Sequence, residues 1–410
     1  MRLILYLEEM NILFFIPWPI YGAVGGAENV ASLLASHLIE QGHKVKILSN
    51  DKIGGQLAYP CSDKIILDHF SSDNIKQDIF RSLKTFSPIK ARRHLYKKLY
   101  ILDNLSNHLA DKIKYEQPDL ILSFSAIGTY ILKRAYEHLK KSSTPPIITM
   151  FHSTVECVLF KELHICKNSI YRDKIIREKF TTFCQLIEQS SAFIQVLMPS
   201  FIKPLKQYMP NANIVCIPNI VPQYIEQSNL LTPTIINVAR LTPLKRQHLL
   251  IQAFSLIHQK YPEWRVELWG QDCGDYTNTL KLMIKNLGLT KKVILCGTAK
   301  EIKDRLLKAS IFCFPSQYEG FGLALTEAMA VGLPAIGCEN CPAVNELLAD
   351  DVGILCEDSV EAIAKSIQKL IDNFELRVAL GNKGRMKVKY FSKEEIFNTW
   401  DDIFRKIVNK

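Results

Sequence analysis

Short, wholly apolar runs alternate along the chain with longer stretches whose apolar residues recur three or four apart. Asn11-Ile12-Leu13-Phe14-Phe15-Ile16 is the first run, and its unbroken hydrophobicity predicts a strand covered on both faces. Gly25-Gly26-Ala27-Glu28 comes next. Val30, Leu33, Leu34 and Leu38 then mark one face of a helix that Gly42 stops. Further strands are predicted at 45–48, 119–124, 147–151, 192–197 and 214–217. A polar stretch with two prolines, 222–233, reads as a linker. The alternation then starts afresh at 234–240, followed by a helix carrying Leu249, Leu250, Ala253, Phe254 and Ile257. Strands follow at 265–270, 293–297, 311–314, 334–338 and 353–356, and residues 391–408 close the chain as a helix. Strands alternating with helices in this way predict an α/β protein with parallel sheets, in two domains.

Composition agrees with that division, since 410 residues suit two domains of roughly 200 each. The uncharged stretch from 10 to 27 is long enough for a membrane span, but Pro17, Pro19 and its glycines break it. A buried strand and a loop explain it better, with residues 1–9 read as an extension upstream of the natural start. Eleven scattered cysteines do not form a secreted disulfide framework, and Cys338-Glu339-Asn340-Cys341 has no second pair to make a zinc site. A reduced, cytoplasmic setting is expected. The net charge of +10 concentrates at 76–98, where Lys76, Arg81, Lys84, Lys90, Arg92, Arg93, Lys97 and Lys98 face a single acid, Asp78. Leu95, Leu99, Leu102, Leu109 and Ile113 run on from it at helical spacing. A core-packing helix with a solvated basic face and a helix docked on an anionic membrane both fit. No nucleic-acid module accompanies the charge.

The chemistry concentrates in one strand, loop and helix. Phe312-Cys313-Phe314 ends at Pro315, then Ser316-Gln317-Tyr318-Glu319-Gly320-Phe321-Gly322 leads into strong helix formers from Leu323, stopped at Gly332. Such a junction aims free backbone N–H groups beyond the strand end, where a phosphate is favoured. Glu319 lies in the loop and Glu327 two turns into the helix, so each reaches a different part of one ligand. Upstream, Arg240 and Lys245 follow a strand, two cations placed to neutralise a diphosphate.

These motifs resemble those of glycosyltransferase family 4, the retaining nucleotide-sugar transferases of GT-B fold. Glu319 and Glu327 match the family's E-x7-E, and Arg240 and Lys245 keep the spacing of its Gly-Arg-Leu…Lys element, although Ala239 replaces the glycine. Gly25 and Gly26 match its first-domain glycine loop, His152 its histidine at a strand end, and the turn holding Thr298 its base-reading loop. Ile220 replaces the glycine of the usual Pro-Asn-Gly.

The resemblance implies two Rossmann-like, doubly wound domains facing each other across a cleft. They would span 1–221 and 234–390, with the terminal helix, 391–410, packing back on the first. It implies a hexosyltransferase-type enzyme (EC 2.4) that retains anomeric configuration. The sugar would pass from a UDP- or GDP-sugar to a glycan or lipid-linked saccharide in bacterial surface polysaccharide or lipopolysaccharide biosynthesis. Catalysis would fall to Glu319, Arg240, Lys245 and His152. Gly25, Gly26, Thr298, Gly320, Phe321, Gly322, Leu323 and Glu327 would bind the donor. The resemblance implies no cofactor or metal, the two cations doing that work, and Asp272-Cys273-Gly274-Asp275 is wrongly spaced for a metal-binding pair of acids. The protein would work in the cytoplasm at the inner face of the membrane, touching anionic lipid through 76–98 and binding no nucleic acid. A phosphorylase, an epimerase and a non-catalytic partner subunit share this architecture. The last of these is expected to lose Glu319, Arg240 or Lys245, and all three are present.

Overall fold

The computed structural model describes residues 9–23, 25–51, 55–70, 88–141, 144–163, 165 and 167–408. Two parallel sheets organise them. The first contains β1 (Asn11–Ile16), β2 (Lys44–Ser49), β3 (Ile66–His69), β4 (Leu120–Ser123), β5 (Ile147–Phe151), β6 (Ser191–Val196) and β7 (Ile214–Cys216). Its order is β3-β2-β1-β4-β5-β6-β7. The second contains β8 (Thr234–Val238), β9 (Arg265–Trp269), β10 (Val293–Gly297), β11 (Ile311–Phe314), β12 (Ala335–Cys338) and β13 (Ile354–Cys356), in the order β10-β9-β8-β11-β12-β13. Every neighbouring pair runs parallel. Both sheets are thus doubly wound, as the apolar runs predicted.

Burial explains why those runs were readable. β4, β5, β11 and β12 are buried at every position, so each is almost wholly apolar, with Ser123 and Thr149 the buried polar exceptions. β3 is different. It lies at the edge of its sheet, with Ile66 exposed and Asp68 and His69 on the strand, and no hydrophobic run announces it.

The chain divides into two compact units, 1–218 with 397–410 and 219–396. In the first, the Lys393–Val408 helix lays Phe397 on the His37 ring, 3.9 Å between centroids, while Asp401 pairs with His37 Nε2 at 3.0 Å. In the second, the stretch read as a linker is packed rather than free. Ser228 Oγ donates to the Ala309 carbonyl at 2.6 Å, and its amide to the Val331 carbonyl at 2.9 Å. Arg377 Nη2 donates to the Leu230 carbonyl at 3.3 Å.

The basic run changes character in the structure. Residues 71–87, and with them Lys76, Asp78, Arg81 and Lys84, lie outside the described residues, as do the side chain of Lys90 and residues 1–8. From Pro88 to Ile113 the chain is one helix whose Leu95, Leu102, Leu105, Leu109 and Ile113 are buried. Lys98 is also buried, close enough to Glu162 to act on its charge, and Arg92 pairs with Asp173, the capping residue of the Lys174–Ser190 helix. Lys98 therefore serves the interior of the unit, and Arg92, itself part-exposed, is tied to the buried Asp173. Arg93 and Lys97 are exposed, with Tyr96 and Tyr100 beside them.

Candidate active site

In a doubly wound sheet the crevice for ligands opens where the strand order reverses, at the carboxyl ends of the two strands flanking the reversal. In the second sheet those strands are β8 and β11. Arg240 and Lys245 follow β8, and Glu319 follows β11, so the topology brings together motifs more than seventy residues apart.

The two loops are joined bond by bond. Gln317 N donates to the Leu244 carbonyl at 2.9 Å. Lys245 Nζ lies 2.6 Å from Glu319 Oε1 and 3.4 Å from the Tyr318 carbonyl. Arg246 then clamps the base of the junction, donating to the Pro315 carbonyl at 2.8 Å, to Asp358 at 2.5 Å and to Asn340 at 3.3 Å. It does so from a left-handed backbone, φ 52°, uncommon for a side-chain-bearing residue. Gln247 Nε2 holds the Arg240 carbonyl at 3.1 Å, leaving the Arg240 side chain exposed and without an ion pair among the described residues.

Gly322 caps the Leu323–Ala330 helix at φ 87°, a conformation that favours glycine. The first bond of that helix runs from Thr326 N to the Gly322 carbonyl, so the amides of Leu323, Ala324 and Leu325 have no helical acceptor. Phe321 is buried edge-on against Phe391 at 5.2 Å, which leaves only its backbone to offer a ligand. The Glu327 carboxyl makes no hydrogen bond among the described residues, and burial pushes its pKa up to about 7. Thr298 is exposed on the turn after β10, where Gly297 takes φ 70° and its carbonyl accepts from Gly270 N at 2.7 Å.

The first sheet carries the other residues singled out, around its own reversal between β1 and β4. Gly25 has extended backbone, so conformation does not demand glycine there. A Cβ would instead meet the Glu28 carboxylate at 2.4 Å, and that carboxylate accepts from Trp18 Nε1 at 3.1 Å. Gly26 begins the helix. His152 follows β5 and stacks on Phe124 at 5.0 Å, both ring nitrogens buried without a partner. Burial lowers its pKa to about 4, so it is a neutral imidazole at pH 7.

Two residues escaped the sequence reading. Arg246 stood beside Lys245, yet nothing in its spacing distinguishes a structural clamp from a surface cation. Glu162 is pushed up to about 8 by burial despite Lys98, and its Oε2 has no partner. No sequence signal marks it. The described cysteines are free thiols, Cys338 and Cys341 are buried, and no group of three metal-ligating side chains occurs among the described residues. No helix among them is long and apolar enough to cross a membrane.

Comparison with known proteins bears on the family and the fold. The family model described as glycosyl transferases group 1 matches residues 221–387, and the one described as glycosyltransferase family 4 matches 24–222. An exopolysaccharide phosphotransferase of Streptomyces coelicolor is 24% identical over 409 residues, 98% of this chain but 41% of its own length. The chain thus spans about two fifths of that relative. The Campylobacter jejuni N-acetylgalactosaminyltransferase named for a diphospho-undecaprenol acceptor is 26% identical, over 56% of this chain and 62% of its own. Anabaena HepE, solved with UDP and glucose, superposes with a TM-score of 0.69 at 16% identity, covering 97% of this chain and 100% of that one. With both units matched by its models and the whole chain by its fold, the protein belongs to the group 1 glycosyltransferases of family 4 type and has the two-domain, Rossmann-like GT-B fold.

Proposed function

We propose that the protein is a retaining, metal-independent transferase moving a sugar from a UDP- or GDP-sugar to a glycan or lipid-linked saccharide in bacterial surface polysaccharide synthesis. The observation that carries this reading is the 2.6 Å pair between Lys245 and Glu319. It places a cation and a carboxylate side by side at the reversal of the second sheet, beside amides left open by the Leu323–Ala330 helix. An ammonium has three donors, so Lys245 keeps Glu319 oriented while another N–H meets a phosphate oxygen.

In the reaction the bond from the anomeric carbon to the diphosphate breaks and one to the acceptor oxygen forms, the acceptor hydroxyl giving its proton to the departing diphosphate. Negative charge gathers on the diphosphate, where Arg240, Lys245 and the amides from Gly320 to Leu323 neutralise it. Each such donor is worth roughly 3–4 kcal/mol in the transition state. Glu319 accepts from sugar hydroxyls and faces the positive charge developing at the ring. Glu327 accepts from the ribose, and the turn at Thr298 meets the base. His152, Gly25 and Gly26 are assigned to sugar and diphosphate on the resemblance alone. The diphospho-undecaprenol acceptor for which the Campylobacter relative is named and the UDP and glucose bound by HepE support a lipid-linked acceptor and a UDP-sugar. Work at the cytoplasmic face of the membrane, with Arg93 and Lys97 as its described lipid-facing cations, belongs to the same reading.

Nucleotide release tests it. Purified protein is incubated in EDTA with a panel of UDP-, GDP- and ADP-sugars, beside Glu319→Ala and Lys245→Ala. One donor is expected to release nucleotide, about 10²–10³-fold more slowly in each variant. If none is turned over and calorimetry finds no nucleotide bound, the enzyme reading gives way to a non-catalytic partner subunit.

A further inference from the structure

Resting on that reading of Glu327, we propose that Tyr224 is a second ribose-binding residue, its hydroxyl hydrogen-bonding the sugar of the nucleotide beside Glu327. The argument begins with the path of the chain. Val221 N donates to the Phe391 carbonyl at 2.8 Å, and the Phe391 ring touches Phe321, just ahead of the Leu323–Ala330 helix. Seven residues later Ser228 N bonds the Val331 carbonyl, just past the end of that helix. The segment from 221 to 228 is therefore fixed to Phe391 at one end and to the residue just past that helix at the other. Tyr224 lies between these two fixed points.

Tyr224 is held there by more than its neighbours in sequence. Arg385 donates to the Tyr224 carbonyl and to the Glu226 carbonyl, both at 3.1 Å. The Lys303 ammonium sits 5.0 Å from the Tyr224 ring centroid and pairs with Glu226 at 2.7 Å. Backbone and ring are thus fixed while the phenol oxygen is left over, for it makes no hydrogen bond among the described residues. Glu327 is likewise unbonded. The two groups are near enough to feel each other, since burial and then the Glu327, Glu301 and Glu226 charges raise the phenol to about 12. They are not bonded to each other. Two polar groups that share a site without meeting leave a space needing both an acceptor and a donor. A vicinal diol fills such a space, with one hydroxyl donating to the carboxylate and an oxygen accepting from the phenol. At its raised pKa the phenol keeps its proton throughout the working pH range.

Calorimetry with UDP, GDP and ADP on the full chain tests this, using whichever nucleotide binds best and its 2′-deoxy and 3′-deoxy counterparts. Tyr224→Phe keeps the ring under Lys303 and removes only the hydroxyl, and an unchanged melting temperature would show that the fold is kept. The variant is expected to bind the ribonucleotide roughly tenfold more weakly. It should bind one of the deoxynucleotides as well as the wild type does, because that contact is already missing. Equal weakening towards all three nucleotides would mean that the ring only shapes the pocket, and would overturn the proposal. Unaltered binding by Tyr224→Phe would overturn it too, leaving the transferase reading intact. Wild-type protein that binds none of the nucleotides would overturn both.

Discussion

Glu327 shows what one residue can cost its fold and return to its ligand. Its carboxyl titrates near 7 in the folded protein against 4.5 for an ordinary glutamate, and burial is the cause. A folded-state pKa above the unfolded one means the folded state holds its proton more tightly. Stability therefore falls as pH rises from about 4.5 to about 7 and stays low above that. Glu327→Gln removes this penalty. It should unfold at a higher temperature than wild type at pH 8, by up to about 3 kcal/mol, and show little difference at pH 4.5. Nucleotide binding should respond in the opposite sense. The ionised carboxylate would accept from a ribose hydroxyl, so affinity should rise several-fold through pH 7, a step that Glu327→Gln would lack. Comparing the two proteins cancels the ionisation of the phosphate itself. A wild-type binding curve parallel to that of Glu327→Gln would remove Glu327 from the ribose site. The glutamate was legible in the sequence from its place in the motif. Its lack of a partner was not, because that depends on what the other elements fail to bring near.

At the scale of elements, the site depends on two loops behaving as one body. The loops after β8 and β11 share the Lys245–Glu319 pair and the clamp made by Arg246, and these differ in kind. Lys245 and Glu319 face the proposed diphosphate and sugar, whereas Arg246 spends its guanidinium on Pro315, Asp358 and Asn340. Lys245→Ala should therefore lose turnover with little change in urea midpoint. Arg246→Ala should lose about 2–3 kcal/mol of stability, because Asp358 can still turn to water, and turnover should fall with it. An Arg246→Ala protein as stable as wild type would show that the clamp holds nothing. Of the strands under these loops, β11 was readable because it is buried and apolar throughout, and β8 despite its buried Thr234 and Asn237. β3 was not, since an edge strand can be polar. The basic run was half readable: its charge is plain, but only the fold reveals that Lys98 turns inward and that Arg92 serves Asp173.

For the molecule as a whole, the chain order does not match the order of the units. Of the residues proposed to hold the donor, Tyr224, Arg240, Lys245, Glu319 and Glu327 belong to the second unit and Gly25, Gly26 and His152 to the first, which also takes the last helix from Phe397. A polar, proline-bearing stretch looks like a linker when its partners are unseen. Here Ala309, Arg377 and Arg385 reach it from far along the chain, and only the folded chain brings them there. This division can be tested through Phe404, fully buried in the terminal helix and stacked on Trp400 at 5.6 Å. Phe404→Ala leaves a cavity in the first unit and should cost it about 3–5 kcal/mol. A bound nucleotide at a hundredfold excess over its Kd adds about 2.7 kcal/mol to whichever unit binds it. Scanning calorimetry should therefore resolve two transitions, which a two-domain chain permits. Phe404→Ala lowers one of them, and the nucleotide raises the other. If both perturbations move the same transition, the nucleotide is held by the first unit, and the donor residues named in the second are not where it binds.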